Sequence, residues 1–520
     1  MKPAVWECKA QAKQAEAAAN IPLEWRLSPE ILDQVAQGAM QNVLEVPRQS
    51  GILSDRELLI TGVTDATELL KRLLSCELSA VEVTTAFCKR AAIAQQLTSC
   101  LTETFFDIAL ARAKELDDHL SKTGNPVGPL HGLPISLKES FNVKGVPTSL
   151  GFISFLDRPP QAHNSALVEI LLEAGAVLYV KTNIPQTMMT ADSHNNVFGR
   201  VLNPHRLNLT AGGSTGGEGA LIAQRGSILG VGTDIAGSIR IPALCCGVIG
   251  FKPSIGRIPY GGQTSAGRPG LAGIAAVAGP LCRSLRDAEL FLKVVFNSHP
   301  DDLDDAALGI AWREPPSQSS LTIGLLPEDP VRPLHPCMQR TLDTASRMLQ
   351  AAGHRIVDLS GKTPSIFAAH DTSFRFFNMD PDKTQVTNIM RGAEPWVPSL
   401  RTTYNPEGTD PEPTLIFLEN QLDVILAPGY QSTAVPHDTY GAPMYTVLAN
   451  LVDYPASILP FGQANEVSDA PYIRNVPYIP AYKPKEIEGA PCHIQLIGRR
   501  LKDEVLIQHS QVVEAALAKA

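Results

Sequence analysis

Several things are missing from this 520-residue chain, and each absence removes a class of function. No run of about 18 apolar residues occurs, so no segment is expected to span a membrane. Basic residues are outnumbered, 44 Lys and Arg against 53 Asp and Glu, for a net charge of -9. That balance argues against nucleic acid or an anionic membrane surface as a main partner. The nine cysteines form no C-x-x-C pair, and their number is odd. A structural zinc site and a disulfide framework are therefore both disfavoured, and reduced thiols in a cytoplasmic protein are expected. The start, "MKPAVWECKAQAKQAEAAAN", alternates charge with alanine and lacks the apolar core of a secretion signal. There is no H-E-x-x-H helix for zinc hydrolysis, and no histidine sits in a diagnostic catalytic context. Neither a metal nor a cofactor is expected.

What the chain does have is the composition of a folded globular protein, 44% hydrophobic and 19% charged. Residues 1–50 read as a helical N-terminal arm with an irregular, proline-bearing end. From Ser54 to Leu120 apolar residues recur three and four apart, behind Ser54 and Thr64 or Asp65 as N-caps. Then strands begin to alternate with helices. "HGLPISLKES" (131–140) reads as a strand. "SALVEILLEAGAVLYVKTN" (165–183) reads as helix, glycine stop and strand. The style repeats over 217–243, 321–329, 334–360, 422–429 and 492–520, whereas 380–415 reads as an irregular loop. No repeat or linker divides residues 51–520, so a single α/β domain is expected. Its architecture is a large mixed, mostly parallel central sheet with helices on both faces.

The densest feature is "AGGSTGGEGA" (211–220). A Walker A phosphate loop would need a lysine where Glu218 stands, and the dinucleotide pattern lacks its third glycine. Gly212-Gly213-Ser214-Thr215-Gly216 does fit G-x-S-x-G. That nucleophile elbow requires a strand directly before it, and "NPHRLNLT" is a polar loop. The remaining reading makes the loop half of a site. Ser238, in "GTDIAGSIR", lies one helix and one short strand further on. Lys138 ends the apolar strand "PISLK" upstream. Strand ends are where open α/β sheets bind ligands.

That trio has a coherent chemistry. A serine hydroxyl attacks only when a base removes its proton. A lysine buried beside Ile135 and Leu137 loses its own proton more easily and can be that base. Ser214 can stand between, handing the proton of Ser238 to Lys138. The backbone N–H groups of Ile235, Ala236, Gly237 and Ser238 can converge on an oxyanion.

At these residues the chain resembles the amidase signature family. The run "AGGSTGGEGALIAQRGSILGVGTDIAGSIRIPALCCGVIGFKPSIGR" (211–257) is similar to its signature. So are "GPLHGLPISLKESFNVKGVPTSLGF", "GAVLYVKTNIPQTMM", "FGRVLNP", "GPLCRS", "LDVILAP" and "IQLIGRRLKDE". The likeness runs from about residue 50 to the end, with the signature core at about 130–290. It leans toward the fungal acetamidases and general amidases.

The resemblance implies hydrolysis of carboxylic amides through an acyl-enzyme on a Ser-Ser-Lys triad. Ser238 would be the nucleophile, Ser214 a bridging serine on a cis Gly213–Ser214 bond, and Lys138 the base. It further implies an oxyanion hole at 235–238, a pocket carbonyl at Met188, and a structural ion pair of Asp234 with Arg240. Three departures stand out. Ala236 replaces a glycine, Thr215 replaces a serine, and the stretch from about Phe377 to Leu422 is shorter and more polar than in acetamidase-like relatives. The last leaves substrate range and homodimer formation open. So do two other readings, an amidotransferase-type subunit with a partner and an amidase specialised for a biosynthetic pathway.

Overall fold

A computed structural model describes residues 3–518, apart from 269, 271–272, 364 and 404–415. Among the described residues there are thirteen strands. They are β1 (Leu101–Thr104), β2 (Pro134–Lys138), β3 (Val177–Thr182), β4 (His194–Asn195), β5 (Gly199–Arg200), β6 (Leu229–Asp234) and β7 (Ile249–Lys252) in the first half of the chain. β8 (Val277–Cys282), β9 (Thr322–Leu325), β10 (Arg355–Asp358), β11 (Val424–Ala427), β12 (Ala456–Gln463) and β13 (Pro491–Ile497) follow. Eleven of these form one sheet in the order β1-β3-β2-β6-β8-β7-β12-β13-β11-β9-β10, and β4 pairs with β5 alone.

The sheet is mixed, but the expectation that it is mostly parallel needs correcting. Parallel pairs occur in two blocks, β3-β2-β6 and β11-β9-β10. Between them β6-β8-β7-β12-β13-β11 is antiparallel throughout, and β1 lies antiparallel to β3 at one edge. Sequence pattern favoured parallel pairing because the central strands read as continuous apolar runs. β2, β3, β6, β7 and β8 are buried along their whole length. Burial on both faces produces such runs whichever way the neighbour points.

Helix starts follow side-chain chemistry. Ser54 accepts from the Glu57 N–H while Glu57 reaches back to Ser54, and Asp65 rather than Thr64 caps the next helix through Glu68 N–H. β1 was not expected, because "LTET" is too short to show a period. In the stretch expected to be an irregular loop, the described residues form helices Thr384–Gly392 and Pro398–Thr403. Ile389 at 1% exposure anchors the first of these against a cluster of Phe152, Phe155, Ile184 and Val397. The part of that loop at 404–415 lies outside the described residues. Among the described residues no helix is long and apolar enough to cross a membrane.

Candidate active site

β2 and β6 lie side by side and parallel, with Ile135 opposite Leu229 and Leu137 opposite Val231. Their C-terminal ends therefore come level, carrying Lys138 on one and Thr233 with Asp234 on the other. Lys138 Nζ donates to Ser214 Oγ at 2.7 Å and to Thr233 Oγ1 at 2.7 Å. Lys138 is fully buried. Burial pulls its ammonium down to about 7, although Asp234 and Glu218 oppose that shift. No carboxylate lies within ion-pair distance of it among the described residues.

Ser214 sits on the glycine loop, and the Gly213–Ser214 peptide is cis. The loop is held against two neighbours. Ser193 Oγ donates to Gly212 O at 2.9 Å and accepts from Gly216 N–H at 3.1 Å. Thr215 N–H donates to Ser238 O at 3.2 Å and so ties the two serine segments together. A Cβ at Gly213 would strike Thr190 O and stand 3.0 Å from the Ala191 carbonyl carbon. The glycine is there because another backbone occupies the space, not for a phosphate.

Ser238 lies on the turn after β6, 8% exposed where Ser214 is 2%. Asp234 organises that turn. Its carboxylate accepts from Gly237 N–H (2.8 Å), Ile239 N–H (3.2 Å) and Asn450 Nδ2 (2.9 Å), and pairs with Arg240 at 3.0 Å. Burial alone would raise the Asp234 carboxyl. The Arg240 guanidinium outweighs it, with help from Lys252 and Asn450, and leaves it at about 2. Arg240 spends further donors on Thr446 O (2.7 Å), Gln495 Oε1 (2.9 Å) and Asn450 Oδ1 (2.6 Å). The ion pair thus bolts the serine turn to segments more than 200 residues away.

One expected donor is committed elsewhere. The Gly237 N–H already points at Asp234 at 2.8 Å. Gly237 supplies the turn instead, at φ +123°, and a Cβ there would land on Thr446 Oγ1. Ala236 does not have positive φ, so its methyl is accommodated, and its carbonyl accepts from Thr446 Oγ1 at 2.8 Å.

Met188 has φ +60°, beside Thr187 at +71°. It lines a cavity of about 360 Å³, counted out to its mouth, together with Gly213, Ile235, Ala236 and Ser238. Ile241, Phe374, Gly441 and Pro443 close it from other elements.

Several of these residues carried no sequence signal. Thr233 does have one, for it stands one residue before Asp234 on the strand parallel to that of Lys138. Phe374, Thr446 and Asn450 have none, because they arrive from distant segments. Glu218 reads in sequence as a first-turn acid helped by the helix dipole. It is instead buried, accepting from Ser136 Oγ (2.6 Å) and Thr182 Oγ1 (3.1 Å), and burial raises it to about 8. A neutral carboxylic acid draws little from a dipole. Cys245 and Cys246 are buried, with thiols pushed up by burial, and act as packing.

Comparison with known proteins agrees across the chain. The family model described as "Amidase" matches residues 82–385. An amidase of Gibberella moniliformis is 38% identical, over 98% of this chain and 99% of its own. An acetamidase of Emericella nidulans is 37% identical over 96% of each chain. Among solved structures, a fatty acid amide hydrolase superposes with a TM-score of 0.89 at 32% identity, covering 98% of this chain and 95% of its own.

Proposed function

Because this chain belongs to the amidase signature family and is an amidase-type hydrolase of amides, we propose that it cleaves small carboxylic amides through an acyl-enzyme on Ser238. The observation that carries the reading is a fully buried lysine, unpaired by any carboxylate among the described residues, 2.7 Å from Ser214 Oγ. Neutral Lys138 has two N–H bonds and one lone pair. With an N–H held by Thr233 Oγ1, the lone pair can face Ser214.

Lys138 takes the proton of Ser214 Oγ as Ser214 takes that of Ser238. Ser238 Oγ then bonds to the amide carbonyl carbon. The carbonyl oxygen gains the negative charge, and the N–H groups of Ile235, Ala236 and Ser238 receive it. As the C–N bond breaks, Ser214 returns a proton to the leaving nitrogen and is reprotonated from Lys138. Water, deprotonated along the same path, attacks the acyl carbon and releases the carboxylate. Thr233 and the Asp234–Arg240 pair position these groups without touching substrate.

The pocket favours a short acyl group, since Phe374 and Ile241 leave little open room beside Ser238. A relative of similar length is named an acetamidase. All nine cysteines are free, which supports a cytoplasmic setting. The test is Ser238→Ala with a panel of simple amides, alongside mass spectrometry of the wild type quenched during turnover. Turnover should fall by roughly 10⁴-fold or more, and the wild-type peptide containing Ser238 should carry the acyl mass. Unchanged turnover would overturn the assignment.

A further inference from the structure

The two helices that follow Ser214 and Ser238, Gly216–Ala223 and Arg240–Cys246, both lead away from the site toward the opposite end of the central strands. At that end β6 and β7 begin and β8 ends, with Cys282 opposite both Leu229 and Ile249. A second cavity opens there, about 1030 Å³ out to its mouth, and four of its lining residues are Arg48, Arg90, Arg225 and Arg283.

Arg48 is paired with Glu45 at 2.8 Å. Arg90, Arg225 and Arg283 form no ion pair among the described residues. Arg90, 7% exposed, donates to Gln224 O (2.7 Å) and Thr61 Oγ1 (2.8 Å). Arg225 donates to Gly62 O at 2.7 Å from a left-handed backbone at φ +59°. Arg283 Nη1 is buried without any partner. Burial, then repulsion from Arg225 and Arg283, pulls Arg90 down to about 10. Burial, then Arg225, does the same to Arg283. The acids facing them offset them only in part. Glu45 is held by Arg48, and Asp287, which draws on Arg283, accepts from Ala66 N–H at 2.7 Å and is raised to about 7 by burial. His205 is kept neutral by burial, with Nε2 at 2.9 Å from Cys246 O.

Three guanidiniums with no ion pair among the described residues converge in a protein whose net charge is -9. Capping the carbonyl at the end of helix Gly216–Ala223 accounts for Arg90. It does not account for Arg283, whose Nη1 is buried without a partner. A guanidinium presents five donors in a planar fork that matches an oxyanion, and it cannot shed its proton to relieve the repulsion. We propose that this cavity is an anion site for a phosphate group, either free phosphate or the phosphoryl end of a metabolite. The helix ends that reach the cavity are C-terminal and carry negative dipole. The arginines, not the helices, would supply the attraction.

The test is calorimetric titration of the full chain with inorganic phosphate against sodium chloride at matched ionic strength, followed by thermal unfolding. Phosphate should bind saturably at one site and raise Tm beyond the chloride control. Arg283→Gln should weaken that binding at least about tenfold, the cost of a charge-assisted contact, while amide turnover stays within twofold. Ribose 5-phosphate binding more tightly than inorganic phosphate identifies a metabolite, and equal or weaker binding identifies phosphate itself. Phosphate that stabilises no more than chloride overturns the proposal. So does Arg283→Gln binding phosphate like the wild type. If Arg283→Gln does not fold, Arg225→Lys and ³¹P NMR titration of the wild type decide between the same outcomes.

Discussion

Two lysines on neighbouring strands, Lys138 on β2 and Lys181 on β3, are both fully buried, and burial pulls both below the ordinary lysine value. Their partners differ. Lys181 lies 3.3 Å from Glu139 and donates to Pro147 O (2.9 Å) and Thr148 Oγ1 (2.7 Å). Glu139 is itself held by Thr102 Oγ1 at 2.6 Å and Ser149 N–H at 2.8 Å. Lys138 has only two hydroxyls. A buried ammonium opposite a carboxylate keeps its proton and serves as a strut. One opposite hydroxyls sheds its proton near neutrality, as the proposed role of Lys138 as base requires. Burial creates the tension, and the partner decides how it is released.

Substitutions can break that contrast, and the largest effect is expected at Lys138. Lys138→Met should cut turnover by roughly 10³–10⁴-fold, measured as kcat/KM on a simple amide. The same contrast sets the pH dependence. In the proposed mechanism the active form of Lys138 is neutral, so kcat/KM should rise with pH through about 7, plateau above it and be lost below. An acid limb that persists unchanged in Lys138→Met would assign the titration to another group.

Asp234→Asn comes next. It leaves Arg240 buried and uncompensated, which should cost about 3–5 kcal/mol of stability, seen as a lowered denaturant midpoint, with turnover falling because the Ser238 turn loosens. Thr233→Val is smaller. Losing one hydrogen bond that orients Lys138 should lower kcat about tenfold, near 1.4 kcal/mol, with KM little changed. The smallest effect on turnover should come from Lys181→Met combined with Glu139→Gln. Lys181→Met alone strands the Glu139 carboxylate and should destabilise the fold. The double substitution should regain most of the stability and keep the acid limb of kcat/KM near its wild-type pH. A displaced limb would make Lys181 part of the proton path.

How much could be read beforehand follows range along the chain. The strand ending at Lys138 and the helix after Ser214 follow from patterns within ten residues, and both occur where the pattern places them. The helix Thr384–Gly392 was missed because its proline-rich surroundings suggested a loop, although Ile389 anchors it from a cluster built by residues 150–155 and 184. The direction of the central strands was unreadable because a strand buried on both faces shows no alternation. Glu218 does stand in the first turn of its helix, but its raised proton affinity is not legible because its surroundings come from β2 and β3 rather than from that helix.

By itself the sequence determined which chemistry-bearing residues exist and which local elements carry them: Lys138 at a strand end, Ser214 in a glycine loop, and Ser238 on a turn after a short strand. Those are short-range properties, set by backbone preference and apolar period. The tertiary structure decided the partners. It put Thr233 beside Lys138 and Glu139 beside Lys181, gave Gly237 N–H to Asp234, closed the pocket with Phe374, and left three arginines facing one another at the far ends of the serine helices. Charge and proton affinity depend on what lies within a few ångströms in space, and in an eleven-stranded mixed sheet those neighbours come from anywhere in the chain.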